Sequence, residues 1–301
     1  MPSLNRTLKL LIGLLVVGAF VFALYTQAGE LSKHTFDVAP LYLAASGLLA
    51  LLRGPFVVYP WWRIVRSWGY PLPWWRAVRL YFHSGLARYL PGQYWYVVGR
   101  AYLAEREGIP KSITAASTLV ETVLVTGSAA GVALLGIATA PRWNASLRVL
   151  LISLGILLPV ALLAATGSHV STRFWDWLMH RLGRAHLPSR LTWGDASRAL
   201  LGCYANWVLY GLIALFALAG VSGGDYLAHA PAVIGIFAAS VLGAAVVLFV
   251  PQGLVIREGI LVYLLNTLLA VPIPEAIATA ALTRLIATAA EGLWALIALR
   301  V

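Results

Sequence analysis

Charged residues are scarce in this sequence: they make up 11% of its 301 residues, and only 11 of them are acidic. Soluble domains typically carry about 25% charged residues. Hydrophobic residues account for 60% of the chain, and several apolar runs reach the roughly 18 residues that suggest a membrane-crossing helix. This composition excludes a soluble domain. It also excludes an outer-membrane barrel, whose segments are short and alternate in polarity.

The residue patterns of common catalytic and metal sites are also missing. Cys203 is the single cysteine, so it forms no intrachain disulfide. The six histidines lack the spacing of metal ligands, and neither a nucleotide-binding loop nor a serine-hydrolase motif is present. We therefore expect no metal, no cofactor and no enzymatic activity.

The basic residues, which give a formal net charge of +11, are concentrated in particular loops. Nine of the 22 Lys and Arg residues lie between Arg53 and Lys111, and five lie between Arg173 and Arg198. Such clusters are typical of cytoplasmic loops and attract anionic lipids. They predict a cytoplasmic N-terminus, with Arg53 at the inner face. They also argue against a nucleic-acid partner, since no basic module lies outside the membrane.

The apolar runs predict an all-α polytopic integral membrane protein. We expect six full transmembrane helices and two broken or re-entrant Pro-Gly elements, or eight crossings if the broken elements are counted. Residues 1–301 form a single transmembrane domain with two loosely similar halves, 1–140 and 141–301. The first span is predicted at 8–25 and the second at 39–59, before tryptophans typical of the headgroup level. These are Trp61, Trp62, Trp68, Trp74 and Trp75.

Two Pro-Gly interruptions break the apolar pattern, one near residue 91 and one near residue 251. The first follows a polar, helix-length stretch at 74–90, and the second precedes a stretch at 259–270 that is too short to cross a membrane. Backbone that stops being helical at membrane depth must lie inside protein or line a wet cavity. We therefore predict that both interruptions meet at one hydrated pocket between the two halves. The interrupting residues are Pro91, Gly92, Pro251 and Gly253.

Three arginines next to the interruptions, Arg88, Arg100 and Arg257, are candidate phosphate ligands. A guanidinium group binds phosphate in bidentate fashion, and the ends of half-helices add unpaired N–H donors. We expect these arginines to bind an anionic lipid headgroup at the membrane border. The alternative is that they only extend toward water, as most arginines near helix ends do.

Glu121, Arg284 and Glu291 are ionisable groups within predicted spans, where insertion costs about 2.5–3.5 kcal/mol each. We expect them to form an intramembrane polar core, in which a buried Glu–Arg–Glu cluster gives a headgroup polar passage. The alternative is a structural ion pair that only maintains helix packing.

Two motifs resemble those of the lysylphosphatidylglycerol synthase transmembrane-region family, and the similarity extends over most of the chain. The first is Tyr89-Leu90-Pro91-Gly92 with Gly99-Arg100, followed by Gly108-Ile109 and Glu121. The second, at 249–259, resembles the family's Pro-Gly-Gly-Leu-Gly-x-Arg-Glu-Gly, with Gln252 and Val255 in place of glycines. The site residues implied by the resemblance are Pro91, Gly92, Arg100, Pro251, Gly253, Arg257 and Glu258.

In bifunctional relatives this region is associated with flipping an aminoacylated lipid, while a separate soluble domain synthesises that lipid. The resemblance therefore implies a stand-alone, flippase-like transporter in a bacterial or archaeal inner membrane. We expect it to move an anionic or aminoacylated phospholipid, or a polyprenyl-phosphate lipid, between leaflets. Two alternatives remain: a membrane enzyme that uses Glu258, and an accessory subunit of a lipid-modifying enzyme or glycosyltransferase.

Overall fold

The computed structural model describes residues 34–89, 95–167, 191–245 and 255–300, and these residues are almost entirely α-helical. No strand occurs among them; a single isolated bridge joins Asp37 to Ser222. The all-α fold is therefore confirmed. Some predicted features lie outside the described residues: the first span at 8–25, most of the basic loop before residue 198, and the interrupting residues Pro91, Gly92, Pro251 and Gly253.

Nine α-helices and two 3₁₀ turns make up the described part of the chain. The helices are α1 (Pro40–Ser67), α2 (Trp74–Gly85), α3 (Trp95–Glu105), α4 (Lys111–Ile137), α5 (Ala145–Gly167), α6 (Trp193–Ala219), α7 (Ala230–Ala245), α8 (Ile256–Leu269) and α9 (Ile273–Ile297). The 3₁₀ turns are Leu86–Tyr89, after α2, and Leu227–His229, before α7. Six helices are long and apolar enough to cross a membrane: α1, α4, α5, α6, α7 with its preceding turn, and α9. A polytopic membrane protein is thus confirmed.

The three remaining helices, α2, α3 and α8, contain 12, 11 and 14 residues. At 1.5 Å per residue they are about 16–21 Å long, well short of the roughly 30 Å hydrocarbon layer. They flank the two interruptions, as the predicted half-helices do. The first half-helix, predicted to reach residue 90, ends its α-helical part at Gly85 and continues as the 3₁₀ turn.

Helices α1 and α6 pack against each other in antiparallel fashion along most of their length. Near one end, the Ser46 hydroxyl donates a hydrogen bond to the carbonyl of Ile213 over 2.8 Å. Near the other end, Gly202 lies under the ring of Tyr59, where an added Cβ would come within 2.7 Å of a ring carbon. Because the side chain is absent at Gly202, the two helices approach closely. This pair forms the centre of the fold.

Helix α1 is longer than predicted, and this changes the position of its tryptophans and of Arg53. The helix continues through Pro55 and Pro60 to Ser67 rather than ending near residue 59. Trp61 is fully buried and donates to the Ser117 hydroxyl of α4, so it is a core residue and not a headgroup-level anchor. Trp68 is buried as well. Both rings are therefore packed inside the protein, because neighbouring helices cover the C-terminal half of α1.

Candidate functional site

A cavity of about 290 Å³ is lined by residues of every described helix except α5, and by the 3₁₀ turn that precedes the first interruption. Arg53, near the middle of α1, lines it and lies about 20 Å from either end of that helix at 1.5 Å per residue. Asn206, also in its wall, is near the middle of α6. The cavity therefore lies at about half the depth of the spanning helices. Its charged lining residues are Arg53, Arg88, Arg257 and Glu291, and its aromatic ones are Phe56, Tyr81, Tyr96, Trp207 and Tyr210.

Arg53 is held in place by groups on two other helices. Its Nε–H donates to Oδ1 of Asn206 over 2.9 Å, and its guanidinium carbon lies 3.8 Å from the centre of the Tyr210 ring. One of its terminal nitrogens is 4.0 Å from a carboxylate oxygen of Glu291. The charge-based prediction placed Arg53 at the inner membrane face, and that prediction was wrong. The lengthened α1 carries it into the centre of the bundle.

Arg88, in the 3₁₀ turn before the first interruption, contacts mainly aromatic rings. Its guanidinium carbon lies 5.5 Å from the centre of the Tyr81 ring and 5.3 Å from that of Tyr96, which is within cation–π range. Within the part of the chain that the structure describes, Arg88 forms no ion pair. Arg53 and Arg257, the other two arginines in the cavity wall, each lie within 4.0 Å of a carboxylate oxygen.

Arg257 lies in the first turn of α8, directly after the second interruption. Its Nη2 is 2.8 Å from Oε1 of Glu258, and its Nη1–H donates to the hydroxyl of Tyr210 over 3.1 Å. Oε1 of Glu258 also lies 3.4 Å from Arg284 of α9, while Oε2 accepts the backbone N–H of Val255 over 2.9 Å. Glu258 thus joins α8 to α9 from behind Arg257, and Arg257 faces the cavity.

Arg100 does not face the cavity. It is completely buried in α3, and its Nη1 lies 2.6 Å from Oε2 of the buried Glu121 in α4. Its guanidinium carbon is 4.1 Å from the centre of the Tyr81 ring and 4.9 Å from that of Trp61. Arg100 thus shares the Tyr81 ring with Arg88, but it lies outside the cavity wall, in a closed ion pair that joins two helices.

The expected cluster of Glu121, Arg284 and Glu291 does not form. Glu121 pairs with Arg100, Arg284 pairs with Glu258, and Glu291 lies near Arg53. Arg284 and Glu291 share a face of α9 but are two turns apart, about 10 Å along the axis. They therefore meet different neighbours, α8 and α1. Of the three, only Glu291 lines the cavity within the described residues.

The structure brings Arg88 and Arg257 to the same cavity, although 168 residues lie between them in the sequence. Sequence reasoning missed the residues that complete its wall, namely Arg53, Asn206, Tyr81 and Tyr210. One signal was available for Arg53: it stands alone in the apolar stretch 47–60, where an intramembrane arginine usually faces a cavity. No comparable signal marks the tyrosines. Among the described residues, no group of three His, Cys, Asp or Glu side chains is placed to hold a metal.

The sequence profile of the family described as "Lysylphosphatidylglycerol synthase TM region" matches residues 8–294. The chain belongs to this family. This confirms the resemblance inferred from the two Pro-Gly motifs, and both motifs fall within the matched range. No curated protein sequence matches the chain. Membership of a lysylphosphatidylglycerol synthase transmembrane-region family agrees with the six apolar helices and with a multi-pass membrane protein.

Proposed function

We propose that this chain is a flippase-like transporter that binds an anionic lipid headgroup in the arginine-lined cavity and moves it between leaflets. One observation carries the proposal: Arg53, Arg88 and Arg257 line a single cavity at half the depth of the helices. Arginines at that depth are costly and usually mark a substrate pathway. A guanidinium group also matches the oxygens of a phosphate in bidentate fashion.

The charges in the cavity favour an anionic headgroup over an aminoacylated one. Three guanidinium groups and one carboxylate, that of Glu291, face the space. Glu258 compensates Arg257 from behind, and Glu291 lies 4.0 Å from Arg53, so two carboxylates stand beside three guanidinium groups that line the cavity. Like charges repel strongly in a site of low dielectric constant. The added ammonium group of an aminoacylated lipid would therefore be disfavoured near Arg88.

The proposal also covers the membrane that contains the protein and the orientation of its N-terminus. The clustering of basic residues supports a cytoplasmic N-terminus, and a bacterial or archaeal inner membrane is the compartment that we propose. We propose no enzymatic role. Glu258, the one carboxylate considered for catalysis, is engaged by two arginines and a backbone N–H, and it does not line the cavity. A lipid-modifying enzyme or glycosyltransferase remains a candidate partner that would supply or consume the lipid.

Arg88→Gln tests the transport proposal directly. The substitution removes a charge that belongs to no ion pair in the described part of the chain, so we expect the protein to fold normally. In proteoliposomes, leaflet exchange of a fluorescent phosphatidylglycerol, read by quenching of the outer leaflet, should slow roughly tenfold or more, as expected for losing a charge-assisted hydrogen bond. Arg148→Gln, on the exposed surface of α5, should exchange lipid like the unmodified protein. Equal exchange by both variants would rule out the proposal.

A further inference from the structure

A second hollow, an open groove of about 670 Å³, lies on the outer surface of the α1–α6 pair. Its walls are apolar except at one end, where Arg198 stands near the beginning of α6. Its lining includes one cation, Arg198, and no carboxylate. Its principal lining residues are Phe56, Tyr59, Trp74, Leu201, Ala205 and Arg198.

Phe56 is the one residue that lines both hollows. On α1, Arg53 and Pro60 face the cavity, whereas Pro55 and Tyr59 face the groove. On α6 the same division holds, with Asn206 on the cavity side and Ala205 on the groove side. The two hollows therefore lie on opposite sides of the contact between α1 and α6. The partly exposed ring of Phe56 stands at their boundary.

We propose that this groove binds the hydrocarbon chain of the lipid whose headgroup occupies the cavity, with Phe56 as the divider between headgroup and chain. This inference rests on the proposed function. A lipid is continuous, so a headgroup held at mid-depth by arginines requires an adjoining apolar surface for its chain. Methylene groups are stabilised on apolar walls and excluded from a space lined by three guanidinium groups. The groove is an apolar surface that shares Phe56 with the cavity.

Small side chains keep the groove open along α6. Ala205 adds one methyl group, and Gly202 has no side chain, so the Tyr59 ring lies close against α6. Leu201 projects from the same helix and is 67% exposed, so a larger side chain at that position fills the groove without disturbing the core. Leu201→Trp is therefore a blocking substitution. Leu150→Trp on α5, also an exposed leucine, is its matched control.

The experiment uses a lipid with a photoreactive group in its chain to label the protein residues that line the groove. Full-length protein is placed in nanodiscs of phosphatidylcholine that contain traces of a probe with a diazirine in its chain, carrying either a phosphatidylglycerol or a phosphatidylcholine headgroup. Labelled peptides are then quantified by mass spectrometry. At the peptide containing Leu201, the anionic probe should label roughly three- to tenfold more than the zwitterionic probe, a ratio of the size expected for one charge-assisted contact. At the peptide containing Leu150, both probes should label equally.

Three variants decide the outcome. Arg88→Gln should abolish the preference for the anionic probe at Leu201. Leu201→Trp should lower labelling of the groove and slow lipid exchange. Leu150→Trp should change neither the labelling of the groove nor the rate of lipid exchange. Equal labelling by both probes at Leu201 would mean that bulk lipid alone fills the groove and would overturn the inference. A preference that persists in Arg88→Gln would overturn the link to the cavity. If Arg88→Gln slows exchange while labelling shows no preference, the transporter proposal stands and the chain site falls.

Discussion

Arg100 and Arg257 occupy corresponding places after the two interruptions, yet the fold uses them differently. Each lies in a short helix and is buried, and each contacts a glutamate at 2.6–2.8 Å. Arg100 is enclosed between Tyr81, Trp61 and its partner Glu121, and it reaches no cavity. Arg257 reaches past Glu258 to Tyr210 and lines the cavity.

The difference between the two arginines lies in how the partner carboxylate is shared. Glu121 has Arg100 as its only ion-pair partner in the described residues, so this ion pair consists of one positive and one negative charge. Glu258 is divided between Arg257 and Arg284 and also accepts the Val255 N–H. One carboxylate thus faces two guanidinium groups. A similar motif therefore produces a structural brace in one half and a cavity-lining arginine in the other.

The largest effect should follow from separating the Arg100–Glu121 pair. Arg100→Ala leaves the Glu121 carboxylate buried without its partner, which typically costs about 3–5 kcal/mol. We expect a large loss of thermal stability, measured as the fraction that stays monodisperse in detergent after heating. The double variant Arg100→Met/Glu121→Leu should recover most of the loss, because it removes both charges. A single variant as stable as the unmodified protein would show that the pair is not a brace.

Arg257→Ala should mainly impair transport, whereas Arg100→Ala should mainly impair stability. Glu258 keeps Arg284 and the Val255 N–H, so we expect a stability loss of only about 1–2 kcal/mol, as for one lost hydrogen-bonded partner. Exchange of anionic lipid should nevertheless fall to background, since a cavity-lining guanidinium is gone. Arg257→Lys should restore part of the exchange, because an ammonium lacks the bidentate fork. If Arg257→Ala loses stability as severely as Arg100→Ala and retains exchange, the two arginines are alike and the comparison fails.

The smallest effect concerns the turn that presents Arg257. Val255 has φ of 72°, a left-handed conformation that a β-branched residue rarely adopts and that glycine adopts freely. Val255→Gly should therefore stabilise the protein by about 1 kcal/mol, the usual size of such backbone strain. Val262→Gly, within α8, should destabilise it by a similar amount. The check is the thermal midpoint of both variants, and destabilisation by Val255→Gly would show that side-chain packing outweighs the strain.

The strained residue of this turn, Val255, also belongs to the second Pro-Gly motif. Val255 stands where the related motif has glycine, and the structure gives that position the backbone conformation that glycine favours. Valine at this position therefore adds strain at the start of α8. The hydrogen bond that the Val255 N–H donates to Oε2 of Glu258 helps to hold this conformation. Arg257 is oriented by the same first turn of helix.

Much of the fold was predictable because its signals are local. Apolar runs identified the spanning helices, and shortened runs beside Pro91 and Pro251 identified the half-helices now described as α2, α3 and α8. Helix boundaries were less predictable. α1 extends to Ser67, and α6 begins at Trp193, where the Thr192 hydroxyl accepts the N–H of Asp195 as a cap. Helix α1 ends where Gly69 adopts a φ of 90° and the Tyr70 N–H donates to the carbonyl of Val65, a local signal that hydropathy does not register.

The amino-acid sequence alone determined that this chain is an all-α membrane protein, that it is interrupted twice, and that an arginine accompanies each interruption. Hydrophobicity and helix breaking are properties of short stretches, so they can be read without knowing the fold. Only the tertiary structure decided that Arg53, Arg88 and Arg257 share a cavity while Arg100 is closed off with Glu121. Partner choice among buried charges depends on which helix faces meet, and that depends on residues far apart in the chain.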